Sequence, residues 1–291
     1  MTENKEFFKY AKEYALNKLT AAYQNQKALP LAKAHEQAEK HLAMLTKPVE
    51  SCDIHNSKTT LSAIYHRLLV SCQNRAMMPT LIKFDANRKV FAKLLIDFNP
   101  VKVLEKYKSA DDLFNVFNKS FDINQDHNKL WKLFAQSVMD SAKFLTRFIN
   151  AEDFKKTIDN IATNSPAIMA VPNYICEEIH GLGPVLACDF IKEIGYVEYA
   201  KPDVHIEYII VNYFYDGKKV SPKEILNKVQ EIAKDAGVST FEVDKILWLI
   251  ASGKYYDVKQ IEPTIIVKSE HSGQSLRDEF LEKLSSDLIR F

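Results

Sequence analysis

Apolar residues recur at intervals of three and four along nearly the whole chain, the spacing that gathers them on one face of an α-helix. Phe7, Phe8, Ala11, Ala15 and Leu19 form one such stripe within 4–24, and Ala34, Ala38, His41, Leu42 and Leu45 form another within 31–46, which Pro48 ends. The stretch VESCDIHNS (49–57) is polar and aperiodic, and reads as a linker closing an N-terminal helical extension, 1–57. Beyond it the pattern predicts a mostly apolar, buried helix over 59–73 and a helix over 86–98 with Val90, Phe91, Leu94, Leu95 and Phe98 on one face. Short helices over 100–107 and 110–119 follow, then the longest periodic stretch, 128–149, through Trp131, Phe134, Val138, Leu145 and Phe148, and a helix over 151–162. Pro166 and Pro172 punctuate the pattern before a short helix over 173–179, a Gly-Leu-Gly turn and a second helix over 184–194. A loop over 195–202 leads to Asp203, which opens a helix over 203–214. Ser221 followed by Pro222 starts a helix over 221–236, and Ser239 with Glu242 reads as a capping box for a helix over 240–252. The tail, 258–291, holds one strand candidate, TIIVKS, and an amphipathic helix with Leu276, Phe280, Leu284 and Leu288.

Composition sharpens this helical picture. Among 291 residues there are 7 glycines, and none precedes Gly181. Hairpin turns and phosphate-cradling loops need the positive φ or close backbone approach that glycine supplies, which argues against both in the first 180 residues. No run approaches the roughly 20 apolar residues of a membrane helix. The N-terminus, MTENKEFFKYAKEY, lacks the apolar core of a secretory signal. Cys52, Cys72, Cys176 and Cys188 are too scattered for a disulfide framework or a metal-binding Cys-x-x-Cys, and the eight histidines show no ligand spacing. The expectation is a protein of a reducing, intracellular compartment, without membrane, metal or cofactor. Charge is balanced over the chain, 39 basic against 38 acidic residues, but not locally. Residues 58–110 carry ten Lys and Arg against three acids, whereas 172–215 carry two lysines against seven acids.

The segment YICEEIHGLGPVLACDFIKEIGYVEYAKPDVHI (174–206) holds the most pointed chemistry. Two short helices joined by a tight Gly-apolar-Gly turn form a helix-hairpin-helix. Gly181 accepts the angles that end the first helix. Gly183 lets main-chain N–H groups approach a phosphate, and the second helix turns its N-terminus toward the same anion. An ordinary αα-corner needs the same glycines for the turn alone, so both readings stay open on this motif.

With the residues that follow, the stretch resembles the helix-hairpin-helix DNA glycosylase superfamily of the endonuclease III type. The matching stations are Gly181, Gly183, Ala187 and Asp203-Val204-His205-Ile206; LLVSCQNRA (68–76), similar to an early helix ending in a glutamine; and DKILWLIASGKYY (244–256), similar to a late helix ending in Gly-basic-Tyr. The resemblance covers about 58–257 and implies an all-α fold of two helical subdomains flanking a cleft, with 75–170 as the middle subdomain. It implies that Asp203 faces the sugar and acts in breaking the N-glycosidic bond, while Gly181, Leu182, Gly183 and Val185 grip the DNA backbone. Gln73 would fill the space left by a flipped nucleotide, with Asn74 and Arg75 touching the opposite strand or a phosphate. Trp131 and Phe144 are base-stacking candidates, although an aromatic stripe at helical spacing is more often core.

Two departures qualify the likeness. Members that also cut the strand carry a lysine two residues after the second hairpin glycine, and Val185 stands there. Without an amine no imine forms, so base release without lyase activity is expected, with Lys192 and Lys201 read as solvated charges. No cysteine lies beyond Cys188, so no iron–sulfur cluster of the kind found in some members is expected. The preferred reading is a monomeric, monofunctional DNA N-glycosylase acting on duplex DNA with a damaged base, in a nucleoid-associated cytoplasm or a nucleus. The alternatives are a non-catalytic DNA-binding protein on the same scaffold, or a helical protein-interaction module using residues 1–48.

Overall fold

The helical periodicity becomes an all-α protein with one small β-ribbon in the computed structural model, which describes residues 2–75, 77–165, 167–256 and 263–287. In chain order the helices are α1 (Glu3–Lys27), α2 (Leu31–Leu45), α3 (Leu61–Gln73), α4 (Met78–Ile82), α5 (Arg88–Leu94), α6 (Pro100–Lys106), α7 (Ala110–Phe121) and α8 (Asn128–Leu145). They continue as α9 (Ala151–Asn164), α10 (Ala170–Glu178), α11 (Pro184–Glu193), α12 (Val204–Phe214), α13 (Pro222–Ala236), α14 (Thr240–Ser252) and α15 (Leu276–Asp287). Strands β1 (Lys254–Tyr256) and β2 (Pro263–Ile266) pair antiparallel, with Tyr255 opposite Ile265. Leu288, expected to complete the tail helix, lies outside the described residues, as do Ala76 and Pro166.

Short polar side chains start many of these helices by accepting an otherwise unpaired first-turn N–H. Thr2, Thr60, Ser109, Asn150 and Ser239 each serve in this way for the helix that follows. Ser221 makes the full capping box with Glu224. The box expected at Ser239 is only half made: Ser239 accepts the Glu242 N–H, but the Glu242 carboxylate is taken by Lys12 Nζ at 2.7 Å. Pro172 does not break the pattern, because it falls in the first turn of α10, where a missing N–H costs nothing. The apolar stripe over 86–98 outlasts its helix. Asn99 and Pro100 begin α6, and Ile96, Asp97 and Phe98 take left-handed φ of 51°, 51° and 56° to reach that start.

Residues 49–196 form one compact unit. Its core is aromatic: Phe84, Phe91, Phe117 and Phe134 are fully buried, and Phe84 and Phe91 lie 4.7 Å apart between ring centres. Tyr65 of α3 is also fully buried and donates its hydroxyl to the Val138 carbonyl of α8 at 2.9 Å. The α10–α11 hairpin closes this unit, with α11 packed on α3.

Residues 1–48 and 197–291 form the other unit. There α1 runs along α2, α13 and α14, so the N-terminal helices share a core with the last third of the chain. Phe7 is central: its ring lies 5.0 Å from Tyr213, 4.9 Å from Phe214 and 6.2 Å from Phe280. Among the described residues no helix is long and apolar enough to cross a membrane.

Candidate functional site

In the 49–196 unit the hairpin turn is built around Gly181, whose φ of +87° is strained for any residue with a Cβ. A Cβ there would also meet Leu133 Cδ1 at 2.9 Å and Ser137 Oγ at 3.1 Å. Ser137 fastens the turn to α8 by donating to the His180 carbonyl at 2.7 Å. Leu182, expected at the DNA, is 2% exposed and packs inward, so it anchors the turn and offers no side chain to a ligand. Gly183 is the N-cap of α11 in an extended conformation, φ −85°, with open space where a Cβ would stand. No side chain caps α11. Among the described residues the N–H groups of Gly181, Gly183 and Val185 have no hydrogen-bond partner.

These groups line an open groove of about 700 Å³ together with Arg75, Asp140, Glu178 and His180. The acidic composition of the hairpin is less forbidding in three dimensions. Glu178 is held by Arg147 through two contacts of 2.6 Å, which keeps its carboxyl below its ordinary range. Asp189 and Glu193 are buried and paired. Glu177 remains exposed at the rim.

Gln73, Asn74 and Arg75 part company at the end of α3. Gln73 is 6% exposed and its Oε1 accepts the Phe84 N–H at 3.2 Å, so it holds a loop in place and does not project toward a ligand. Asn74 is half-buried and donates to Asp189 Oδ2 at 3.3 Å. Arg75 alone reaches the groove. Two residues on, Met77 is 66% exposed with a left-handed φ of 67°, an apolar tip that no sequence pattern marks. Trp131 and Phe144 are core residues, 4% and 1% exposed. Trp131 stacks on Phe121 at 5.1 Å, and Phe144 meets Phe148 and Tyr174 at 5.4 and 5.7 Å, so neither offers a free ring face to a base.

Asp203 lies in the other unit, as the N-cap of α12. One carboxylate oxygen accepts the N–H groups of His205 at 3.0 Å and Ile206 at 3.3 Å. The other faces Lys201 Nζ at 3.5 Å. The loop that presents it is fixed by buried Asp244 of α14, whose Oδ1 accepts the Lys201 N–H at 2.6 Å, and by the Phe241 N–H, which donates to the Val197 carbonyl at 2.9 Å. The His205 pKa is lowered, first by burial; Asp203 pulls it up, while Arg277, Lys201 and Lys254 press it down. Burial thus favours the neutral imidazole, whose Nδ1 has no partner among the described residues.

The two lysines read as solvated are not. Lys192 is 2% exposed, bonded to Glu193 at 2.7 Å and 3.9 Å from Asp189. The Lys201 side chain is 15% exposed beside Asp203. Each ammonium is paired with carboxylates near it in sequence, Lys192 with Glu193 and Asp189 and Lys201 with Asp203, while the burial itself comes from tertiary packing, which helical periodicity does not reveal. Val185 lines the hairpin groove and brings no amine to it.

No family model matches the chain, and no curated protein matches it. Among solved structures it is similar to the 8-oxoguanine glycosylase/lyase of Methanocaldococcus jannaschii, crystallised with a 15mer DNA containing 8-oxoguanine. The match spans 82% of this chain and 99% of that one, at 16% identity and a TM-score of 0.38, which assigns no family.

Proposed function

We propose that this protein is a DNA N-glycosylase that extrudes a damaged base from duplex DNA and hydrolyses its N-glycosidic bond through Asp203. The observation that carries the reading is the Asp203 carboxylate: one oxygen is fixed by two helix amides, and the other faces a single lysine. A carboxylate at a helix N-terminus is suited to stabilise the positive charge that develops on a deoxyribose as its base departs, or to direct water onto C1′. Flipping is required because the bond is out of reach inside the stack. The hairpin supports the reading as a sequence-independent grip, since the unpartnered amides of Gly181, Gly183 and Val185 suit a phosphate. In this reading Arg75, just past the end of α3, and exposed Met77 approach the gap in the stack, the part that Gln73 is too buried to play. Val185 favours base release without strand cleavage. The protein acts as a monomer on cellular DNA, without cofactor or iron–sulfur cluster.

The test is to incubate the full chain with duplexes that each carry one damaged base (8-oxoguanine, uracil, an alkylated purine or an oxidised pyrimidine) and to reveal abasic sites with alkali. Release from at least one duplex is expected. Tight duplex binding without release from any of them would favour a DNA-binding protein on this scaffold. Absence of both would overturn the reading.

A further inference from the structure

The two ends of the chain converge on the helix that Asp203 caps. Arg277, in the first turn of α15, lays its guanidinium over the Tyr208 ring of α12, 3.9 Å from the ring centre. Its neighbour Asp278 accepts the Tyr208 hydroxyl at 2.6 Å. Helix α15 is in turn braced by α1. Lys18 Nζ lies 2.5 Å from Glu279 Oε1, a carboxylate only 1% exposed, and Phe280 packs between Phe7 and Tyr14. The position of Arg277 is thus over-determined by elements from both termini, which is more than a solvated surface charge requires.

Arg277 stands against α12 at Tyr208, and two lysines lie in the same part of this unit. Lys201 touches Asp203 itself, and Lys254 of β1 follows Gly253, where a Cβ would stand 3.9 Å from Leu276 Cδ2, the residue before Arg277. Lys201 is committed to Asp203, but neither Arg277 nor Lys254 has a carboxylate within ion-pair distance among the described residues. Arg277 Nε is buried without an acceptor. A lone carboxylate here would repel the phosphates on either side of a nucleotide. Cations from three separate segments remove that repulsion, and a planar guanidinium matches two phosphate oxygens at once.

We propose that Arg277, together with Lys254, forms a phosphodiester-binding site on the helix that Asp203 caps, and that this site holds the backbone of the strand carrying the nucleotide to be excised. The site rests on the reading of Asp203 given above. It gives the C-terminal tail a part in recognition and the N-terminal helix a part in positioning that tail.

The experiment measures affinity of the full chain for a labelled duplex with a tetrahydrofuran abasic analogue over a range of salt, alongside melting temperature. For Arg277→Ala the expected result is an about tenfold loss of affinity at low salt and a log–log salt slope shallower by about 0.9, the signature of one lost phosphate contact. Arg277→Lys should keep the slope and recover part of the affinity, and Lys234→Ala on α13 should change neither. If Arg277→Ala fails to fold, Lys254→Ala, at an exposed position, carries the test with the same expected loss of slope. Unchanged affinity and slope in a folded variant overturn the site. So does stabilisation by inorganic phosphate alone that vanishes in Arg277→Ala while duplex affinity stays the same, which would mean a free anion as ligand. A wild-type protein that binds duplex and releases no base, yet loses slope in Arg277→Ala, supports the phosphate site and defeats the glycosylase reading. Base release with an unaltered slope does the reverse.

Discussion

Two aspartates, one in each compact unit, show how the same side chain is put to different use. Asp189, on the second hairpin helix, is a hub. Its Oδ2 accepts from Arg67 at 3.0 Å, Ser71 at 2.8 Å and Asn74 at 3.3 Å, which bolts α11 to the end of α3. Asp203 takes two amides of its own helix on one oxygen and leaves the other to Lys201. The first carboxylate is buried and held by distant partners; the second is positioned locally, with one oxygen on helix amides and the other on a single lysine. Asp189 draws its partners from α3 and its end, distant in sequence, whereas His205, Ile206 and Lys201 all lie within three residues of Asp203.

The same contrast separates the two halves of the candidate machinery. The hairpin offers main-chain donors, which suit any phosphate and read no base. The Asp203 region offers side chains, a carboxylate with Lys201 against it, which in the proposed reading faces the sugar.

The largest effect should come from removing the hub. Asp189→Ala strands the buried guanidinium of Arg67, and losing one partner of a buried pair costs about 3–5 kcal/mol. Urea unfolding should show that loss, and a variant as stable as the wild type would place the charge network outside the fold's essentials. Gly181→Ala should come next. Its positive φ and the 2.9 Å approach to Leu133 make a Cβ costly, by about 1–3 kcal/mol. Heat denaturation measures this, and a neutral substitution would mean that the turn relaxes freely.

Gly183→Ala is the informative small change. The extended φ and the open space around it predict a stability within about 0.5 kcal/mol of wild type. A methyl beside the unpartnered amides should weaken damaged and undamaged duplex alike, by roughly threefold at low salt. Lost stability with unaltered affinity would turn the hairpin back into a plain αα-corner. The smallest expected effect is none: with Val185 in the groove, borohydride treatment during turnover should trap no covalent protein–DNA adduct. A trapped adduct would point to another amine, with Lys201 the first to replace by Arg.

The pattern along the chain carried the helices well, because periodicity and N-caps are local properties. Ser221, Ser239 and Asp203 all cap helices where they were expected. What escaped was decided by packing between segments distant in sequence. Gln73 turns inward to hold Phe84, Trp131 and Phe144 join aromatic clusters, and Lys192 is buried on α11, which packs against α3. A polar residue at a helix end, or an aromatic on a stripe, looks the same in sequence whether it faces core or ligand. Strand β1 escaped because KYY is too short to show alternation, and its identity depends on β2. Arg277 was invisible for another reason: nothing in a charged amphipathic tail marks one cation among several, and its place is set by Tyr208 and by α1.

The most direct test of Asp203's part is Asp203→Asn assayed three ways on one preparation. Asparagine caps a helix about as well as aspartate, so stability should hold within about 0.5 kcal/mol. Affinity for an abasic-analogue duplex should stay within a few-fold of wild type. Single-turnover base release on the best substrate should fall by about 10²–10³-fold, as expected when a preorganised charge facing the transition state is removed. Undiminished release by the folded variant would contradict the assignment and remove Asp203 from the chemistry.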